Sequence, residues 1–364
     1  MKIICNKSAL LTGVNTVLKA VPARTTMPIL ECILIDTTSG VIKLTANDMD
    51  LGIETTVDGD KGCIALEAKL FSEIVRKLPD SEVTIETDDN NKALIKCEKA
   101  KFNIAGKDGE DFVALPEIEK THFITLSKFS LKEIIRQTIF SISDNESNRM
   151  MSGELLQIDQ DQLRLVSLDG QRISIRKISL KESYDPIKAV IPGKTLNEIS
   201  KILSGDMDDD VRIYFTDRHV LFEFDQTVVV SRLLEGEYFQ IDKMISSDYN
   251  TKITINKKEL QGCIERASLL IRESERKPII INVTDGSMEM KIQSAMGSMN
   301  EDIDISKEGR DIMIGFNPKF ILDALRVIDD EEITMYLVNP KAPFIIKNDE
   351  QSYIYLVLPI SFNM

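Results

Sequence analysis

The chain has 364 residues, 43% of them hydrophobic, and a formal net charge of −14 at pH 7. No apolar run approaches the roughly 18 residues of a membrane span, and the polar, charged N-terminus does not resemble an export signal, so we expect a cytoplasmic protein without a membrane partner. Five scattered cysteines and two histidines argue against a disulfide framework and a zinc site, so we expect no metal or cofactor.

A short apolar strand followed by an amphipathic helix occurs three times along the chain. The helices open at Asn6-Lys7, Ser127-Lys128 and Asn256-Lys257. In each copy, apolar residues follow the Asn or Ser at offsets of four and eight, which is helical spacing. The chain therefore predicts an internal repeat of three units.

Segments that alternate between apolar and polar residues separate the helices and predict half-buried strands joined by hairpins. Asp169-Gly170 is the clearest turn signal, because Asp-Gly favours a tight hairpin turn. The segments are VIKLTAND, VTIET, ALIKC and KFNIAG in the first unit, LRLVSLDGQRISIRKI in the second, and MEMKIQ and FIIK in the third.

A second helix in each unit begins at Lys69, Lys194 and Lys319, which are spaced by 125 residues. Gly193-Lys194-Thr195 looks like the end of a phosphate-binding loop, but Lys188 stands where that motif needs its first glycine, so we exclude the motif. Apolar residues recur at matching offsets from the three lysines: Phe71, Leu196 and Ile321; Ile74, Ile199 and Ala324; Leu78, Leu203 and Ile328.

These patterns predict an α+β fold of three repeated domains, each a sheet backed by two helices. The predicted domains are residues 1–121, 122–248 and 249–364.

Each of the six helical segments carries a positive net charge, and these charges sum to +11. The rest of the chain therefore carries a net charge of −25. This distribution favours one positive surface inside an acidic shell. Helices pack about 8 to 10 Å apart, so twelve of them in a circle leave a hole of roughly 25 to 30 Å, wide enough for duplex DNA. Twelve helices require two chains, and we expect a homodimer.

The chain resembles the bacterial sliding clamp family, the beta subunit of the replicative DNA polymerase, over its whole length. The resemblance is carried by RTTMPILECILI (24–35), LTANDMDLGIE (44–54), LRLVSLDGQRISI (163–175), VIPGKTLNEISKIL (190–203), GFNPKFILDAL (315–325) and YLVLPI (355–360). It implies a homodimeric ring with helices lining the hole, a DNA sliding clamp that encircles double-stranded DNA independently of its sequence. The partners that it implies are the replicative DNA polymerase, the clamp loader and repair proteins, which bind through short linear peptides.

Three sets of site residues are expected, and the resemblance implies the second and the third. We expect Arg24, Lys194 and Arg149 to contact DNA phosphates, helped by the basic residues Lys128, Lys132 and Arg136 on the helices. The dimer-interface set is Phe102 and Ile104 of one chain against Leu269 and Leu270 of the other. The peptide-binding cleft comprises Met151, Gly170, Gln171, Arg172, Ile173, Phe239, Lys243, Met244, Asn317, Phe320, Pro343, Leu356, Val357, Leu358, Pro359 and Ile360.

The chain departs from the family pattern near the cleft. Gln171 stands where the family commonly has histidine, Gly236-Glu-Tyr-Phe-Gln-Ile241 replaces a Gly-x-Phe-Pro-x-Tyr motif, and the chain ends in Ser361-Phe-Asn-Met364 without the usual basic residue. These differences affect the partner cleft and leave the expected fold unchanged.

Two other functions compete with the clamp. An enzyme is disfavoured, because Asp48 and Asp50 resemble a strand-end turn and no nucleophile or acid-base motif is present. A three-repeat protein-interaction scaffold that never binds DNA explains the repeat, but it leaves the positive charge of the helical segments unexplained.

Overall fold

The computed structural model describes residues 2–57, 62–144, 148–203, 209–245, 248–272 and 277–362. These residues form two compact units, one of Met1–Phe129 with Glu198–Leu233 and one of Ser130–Asn197 with Leu234–Met364. We call them unit 1 and unit 2. This division differs from the three domains predicted from the repeat, and the three-domain division stays a prediction.

Six α-helices lie in the described residues. They are α1 (Lys7–Val17), α2 (Ala68–Lys77), α3 (Lys128–Arg136), α4 (Gly193–Ile202), α5 (Lys257–Ser268) and α6 (Pro318–Leu325).

The strands of unit 1 are β1 (Lys2–Asn6), β2 (Cys32–Asp36), β3 (Ile42–Asn47), β4 (Leu51–Val57), β5 (Cys63–Glu67), β6 (Glu82–Thr87), β7 (Lys92–Cys97), β8 (Ala100–Lys107), β9 (Phe123–Ser127), β12 (Asp210–Phe215), β13 (His219–Phe224) and β14 (Thr227–Arg232). Those of unit 2 are β10 (Gly153–Leu168), β11 (Arg172–Pro192), β15 (Thr251–Asn256), β16 (Ile279–Thr284), β17 (Ser287–Ser294), β18 (Gly297–Asp304), β19 (Ser306–Gly309), β20 (Ile312–Phe316), β21 (Glu332–Leu337), β22 (Phe344–Lys347) and β23 (Tyr353–Val357). Every strand predicted from alternation is present.

Unit 1 holds one antiparallel sheet of twelve strands in the order β1-β6-β7-β8-β5-β2-β3-β4-β14-β13-β12-β9. The sheet is continuous across β4 and β14, where Ile53 lies opposite Val229. Helix α1 packs against β3, β4 and α2, and it buries Leu10, Val14 and Val17. The apolar stripe of α1 therefore covers one face of the sheet.

Unit 2 holds a sheet of seven strands, in the order β10-β11-β23-β22-β21-β15-β19, and a sheet of four, in the order β18-β17-β16-β20. A large apolar core joins α5 and α6 to both sheets. A second apolar cluster forms on the seven-stranded sheet and includes Val166, Ile175, Tyr238, Ile241 and Leu356. This second cluster underlies the candidate site.

The residues of the predicted repeat occupy equivalent buried positions. At the end of the second helix of each repeat, the amide of Leu78, Leu203 or Ile328 donates to the carbonyl four residues earlier, as expected for matching turns. All nine apolar residues at the matching offsets are buried. The periodicity was therefore a correct guide to the helix core faces.

A second backbone contact recurs at the start of the first helix of each repeat. The amides of Lys7, Lys128 and Lys257 donate to the carbonyls of Ser81, Asp209 and Glu331, at 3.1, 2.8 and 2.9 Å. The Asn6 and Asn256 side chains cap α1 and α5, since each accepts a hydrogen bond from a backbone amide of the first turn. Helix capping explains the asparagine at the start of α1 and of α5.

The helices end earlier than the sequence predicted, and this changes the charge estimate. Helix α6 ends at Leu325 and excludes Arg326, so Lys319 and Asp323 leave it neutral. The other five described helices have a positive net charge. The expectation that all six helices are positive is therefore wrong for α6.

Candidate functional site

The turn between β10 and β11 forms one side of the candidate cleft in unit 2. Gly170 has φ of +86°, a left-handed conformation that glycine adopts without strain. The Asp169 carboxylate accepts hydrogen bonds from the amides of Gln171 and Arg172 at 2.9 and 3.0 Å. The turn is thus fixed by its own aspartate and leaves the Gln171 side chain exposed.

The C-terminal segment runs beside this turn. Ile173 lies opposite Leu356 in the β11-β23 pair, and the Leu358 amide donates to the Gln171 carbonyl at 2.8 Å. The Ile360 amide then donates to the Gly315 carbonyl at 2.7 Å. The segment that follows β23 is therefore fixed by backbone hydrogen bonds on two sides, while the Leu358 side chain stays 40% exposed.

Arg172 follows the turn, and its side chain is buried. Its guanidinium donates to Asp169 at 2.9 Å, to Asp323 at 2.7 Å and to the Phe140 carbonyl. It also lies over the Phe320 ring, 4.6 Å from the ring centre. Because these groups take three of its five N–H donors, Arg172 holds the turn against α6.

A groove of about 750 Å³ lies beside the turn and is lined by four of the predicted residues, Gln171, Asn317, Phe320 and Ile360. The Asn317 side chain caps α6 by accepting from the Lys319 amide at 3.0 Å. The sequence prediction missed the rest of the lining, which is Ser268, Ile271, Arg272, Lys277, Pro318, Lys319, Leu322 and Arg326. The basic residues near the end of α5 were the sequence feature that could have indicated this part of the lining.

Another part of the predicted cleft lies on the second apolar cluster. Ile173 and Leu356 belong to that cluster, and Met151 and Phe239 pack against it. Phe239 and Lys243 also line a smaller cavity of about 290 Å³. Unit 2 thus brings most of the predicted cleft residues onto one sheet face and its adjoining groove.

The remaining predicted cleft residues differ in how far they are buried. Val357 points into the large core with α5 and α6, so its assignment to the cleft surface is wrong, since neighbouring strand residues face opposite sides. Met244 is 44% exposed. Pro343 precedes β22, whose Phe344 lies opposite Val357, and Pro359 is half-buried after β23.

The predicted DNA-binding residues have different exposures. Arg24, Arg149 and Lys194 have exposed side chains, and Lys132 is half-buried. Arg136 is half-buried and donates to both oxygens of Glu133, with Asp329 at 3.6 Å. Its charge is therefore partly offset within unit 2.

The prediction that Lys128 contacts DNA is wrong, because its side chain is buried. Its side chain is only 2% exposed, and its ammonium group lies 2.5 Å from Asp225 and 3.1 Å from Asp209. Burial lowers the pKa of Lys128, but the hydrogen bonds to the two carboxylates outweigh burial and leave the pKa raised. Because its charge is already paired and shielded, we remove Lys128 from the phosphate-contact set.

The predicted dimer residues lie in both units, with Phe102 and Ile104 on β8 and with Leu269 and Leu270 directly after α5. In unit 1, residues 100–105 of β8 pair with β7, and only Gly106 and Lys107 pair with β5. Phe102 on this edge is 37% exposed. In unit 2, β18 is the outermost strand of its sheet, and the Leu270 side chain lies beside Gly297 at its start.

Among the described residues, no group of three or more histidines, cysteines and carboxylates is arranged to hold a metal ion. No helix in the described part of the chain is long and apolar enough to span a membrane.

Three sequence profiles of one family match the chain. The DNA polymerase III beta subunit N-terminal domain matches residues 1–116, the central domain residues 125–240, and the C-terminal domain residues 242–361. Together these matches cover most of the chain.

Individual relatives agree with the profiles. The chain is 36% identical to the beta sliding clamp of Bacillus subtilis, with 99% of each chain covered. A crystal structure of a putative DNA polymerase III beta subunit from Eubacterium rectale is 64% identical, and the sliding clamp structure from Bacillus subtilis is 34% identical; both have a TM-score of 0.97 with full coverage of both chains. The chain has the α+β clamp fold and belongs to the bacterial DNA polymerase III beta subunit family, the beta sliding clamps.

Proposed function

We propose that this protein is a DNA sliding clamp, a processivity factor that closes as a homodimeric ring around duplex DNA and tethers DNA-processing proteins. The observation that carries this function is the match to beta sliding clamps over 99% of the chain. The family consists of cytoplasmic replication proteins that are not enzymes, in agreement with the expectations from the sequence. The same family membership disfavours the scaffold alternative.

The three profile matches support dividing the chain into three clamp domains near residues 1–121, 122–248 and 249–364. In this proposal, each domain contributes two of the six described helices to the wall of the hole.

Ring closure is proposed to join β8 of one protomer to β18 of its partner. Both strands have an open edge, and open edges pair readily with another strand. The open edge of β8 carries Lys101, whereas β18 carries Glu301, Asp302 and Asp304, so the two edges have opposite charge. Phe102 and Ile104 would then pack against Leu269 and Leu270. Leu269 is 75% exposed, which suits a residue that is covered on assembly.

We assign DNA contacts to Arg24, Arg149 and Lys194, with Lys132 and Arg136 as weaker contributors. Phosphate contacts carry no sequence information, so binding should not depend on base sequence. The acidic remainder of the chain limits non-specific affinity, because a net charge of −14 repels DNA at long range. Retention should therefore depend on encircling the DNA.

The test uses the protein loaded onto nicked circular DNA by an ATP-driven clamp loader. After linearisation at a single site, the protein should dissociate, whereas it should remain on the uncut circle. As a matched control, linear DNA whose ends are blocked by bound protein should retain it. Equal retention on open linear and circular DNA would show that affinity holds the protein, and would contradict the ring.

We further propose that the surface formed by Gln171, Ile173, Phe239, Phe320 and Leu358 binds short peptides from the polymerase, the clamp loader and repair proteins. Its apolar side chains suit peptides with leucine and phenylalanine anchors. Burying two such anchors contributes roughly 3 to 6 kcal/mol before ordering costs are subtracted, so binding near the micromolar range is expected. Weak binding lets partners exchange on one clamp.

A further inference from the structure

A row of basic side chains follows one face of the β10-β11 hairpin, outside the predicted cleft. Arg164 lies directly opposite Lys177, and Gln157 lies opposite Lys188. Arg164 is two residues from Val166, so it points to the side on which Val166 and Tyr238 pack. The row therefore borders the second apolar cluster.

The charges in this row are not balanced by the carboxylates beside it. Like charges placed directly across two strands repel each other, as Arg164 and Lys177 do. Arg164 Nη1 donates to Asp242 at 2.8 Å, but the Asp242 side chain is 82% exposed. Asp159 is the other acid at this surface, whereas Arg164, Lys177, Lys188 and Lys243 are all cations. An anion would relieve this excess of positive charge.

Arg164 also has an unused donor. Its Nε is shielded from solvent and has no hydrogen-bond partner among the described residues. A shielded donor without an acceptor destabilises the folded state, so such groups are uncommon in proteins. Nε thus marks one point at which an acceptor is missing.

Two adjoining cavities give a ligand access to this surface. They enclose about 290 and 610 Å³ and share Gln157, Arg164 and Lys188 in their walls. Tyr238 fixes the inner wall of the smaller cavity, because its hydroxyl donates to the Val166 carbonyl at 3.3 Å. Phe239 lines the same cavity and also belongs to the proposed peptide-binding surface, so the two sites are continuous.

We propose that this basic groove receives an acidic side chain of a peptide whose apolar anchors occupy the cleft. The carboxylate would pair with the partly exposed guanidinium of Arg164 and with the exposed ammonium of Lys188. The inference rests on the proposed peptide-binding function and adds a specificity determinant to it: partners with a glutamate or aspartate flanking their anchors bind in preference to partners with neutral flanks.

The experiment compares three peptides that share a Gln-Leu-x-Leu-Phe centre. One has neutral flanks, one carries two glutamates before the centre, and one carries them after it. Isothermal titration with the full-length protein should show that one of the acidic peptides binds about three- to ten-fold more tightly than the neutral peptide. The gain should shrink as salt is added, since a half-exposed ion pair is screened.

Arg164→Gln and Lys188→Gln should each reduce this gain to less than about two-fold while leaving the affinity for the neutral peptide close to that of the wild type. Arg218→Gln is the matched control, because Arg218 is an exposed arginine of unit 1 that lines neither cavity, and it should preserve the gain. Equal binding of all three peptides to the wild type, or a gain that survives in both groove variants, would overturn the inference. Failure of the neutral peptide to bind would instead reject the proposed peptide site.

Discussion

Glu154 is a fully buried carboxyl group on β10, and its hydrogen bonds indicate that it carries a proton. Thr138 Oγ lies 2.8 Å from the Ile134 carbonyl and 2.7 Å from Glu154 Oε2. The hydroxyl has one hydrogen, and the carbonyl can only accept, so both contacts are satisfied when Glu154 donates to Thr138. Oε1 has no partner among the described residues, which also favours the neutral acid.

Burial raises the pKa of Glu154 to about 8, and the Thr138 hydroxyl opposes this rise in part by turning toward the ionised carboxylate. The folded pKa is above the usual value of 4.5, so the folded state retains a proton that the unfolded state has lost. The stability contributed by the neutral acid is complete below about pH 4.5. It is lost as pH rises toward 8, at about 1.4 kcal/mol per pH unit.

Glu154→Gln should therefore remove a pH dependence. The amide keeps the shape of the acid and can donate to Thr138 without ionising. Relative to wild type, the free energy of unfolding of the variant should increase as pH rises from 5 to 8, by up to about 4 kcal/mol. Urea denaturation across this range measures the difference.

The matched control is Glu237→Gln, which changes an exposed glutamate of unit 2. Its unfolding free energy should stay parallel to that of the wild type over the same pH range. A Glu154→Gln curve that is also parallel would mean that the native carboxyl is already ionised, and would contradict the hydrogen-bond assignment.

Lys128 and Arg172 show where residue-level prediction reached its limit. Lys128 was chosen as a basic residue on a helix and Arg172 from the family resemblance, and the sequence shows both as charged. Their partners are distant in the chain: Asp225 lies 97 residues after Lys128, and Asp323 lies 151 residues after Arg172. Since no local pattern encodes such pairs, the sequence could not distinguish a solvent-facing cation from one held between two carboxylates.

At the scale of whole elements, most of the fold could be predicted because helices and strands have different hydrophobic periods. Helix ends were less predictable, since α1 ends at Val17 and a 3₁₀ turn at Leu18–Ala20 follows. The prediction also covered only part of the β10-β11 hairpin. Both strands continue beyond the alternating segment, and the pairing shifts register on either side of Gln160. Such shifts depend on pairing across the hairpin, which a local pattern does not show.

The open edges of β8 and β18 lead to a prediction about assembly. Phe102→Ala removes an exposed ring from the β8 edge and should weaken dimerisation by about tenfold or more, because aromatic anchors dominate interface energies. A ring-shaped dimer has two identical interfaces, so the substitution removes one aromatic side chain from each of them. Sedimentation velocity from nanomolar to micromolar concentration should show a larger monomer fraction than in the wild type.

Leu70→Ala is the matched control for this experiment. Leu70 lies on α2 of unit 1 and is 47% exposed, somewhat more than Phe102. Its loss should leave the monomer fraction unchanged. A stable wild-type monomer at micromolar concentration, or an equal effect of the two variants, would reject the β8 edge as an assembly surface.

At the scale of the whole molecule, two functions are assigned to separate surfaces. In the proposed function, DNA retention depends on a closed ring of two chains, whereas partner binding depends on a cleft built within unit 2. We propose that the C-terminal segment forms part of this cleft, since its amides bond to Gln171 and Gly315. Phe362 packs where Gly315 lacks a side chain, and a Cβ there would lie 2.7 Å from the ring. This chain-specific end therefore stabilises the segment that carries Leu358.

Deleting residues 358–364 should separate the two functions. The deletion removes the exposed Leu358 side chain together with Ile360, which lines the larger groove. Affinity for a Gln-Leu-x-Leu-Phe peptide should fall by about tenfold or more, since at least one anchor loses its contact. The sedimentation mass should remain that of the dimer, because the proposed assembly edges lie on β8 and β18.

A shorter deletion of residues 361–364 provides the control, because it keeps Leu358, Pro359 and Ile360 and both backbone hydrogen bonds of the segment. This variant should lose only the packing of Phe362 on Gly315 and retain most of the peptide affinity. If the longer deletion binds the peptide as tightly as the intact dimer does, the C-terminal segment is only the end of a sheet and the cleft must lie elsewhere. Thermal unfolding of both variants shows whether they are folded. A variant that does not fold would lose dimer mass and peptide affinity together, whereas a folded variant that has lost only its contacts would lose peptide affinity alone.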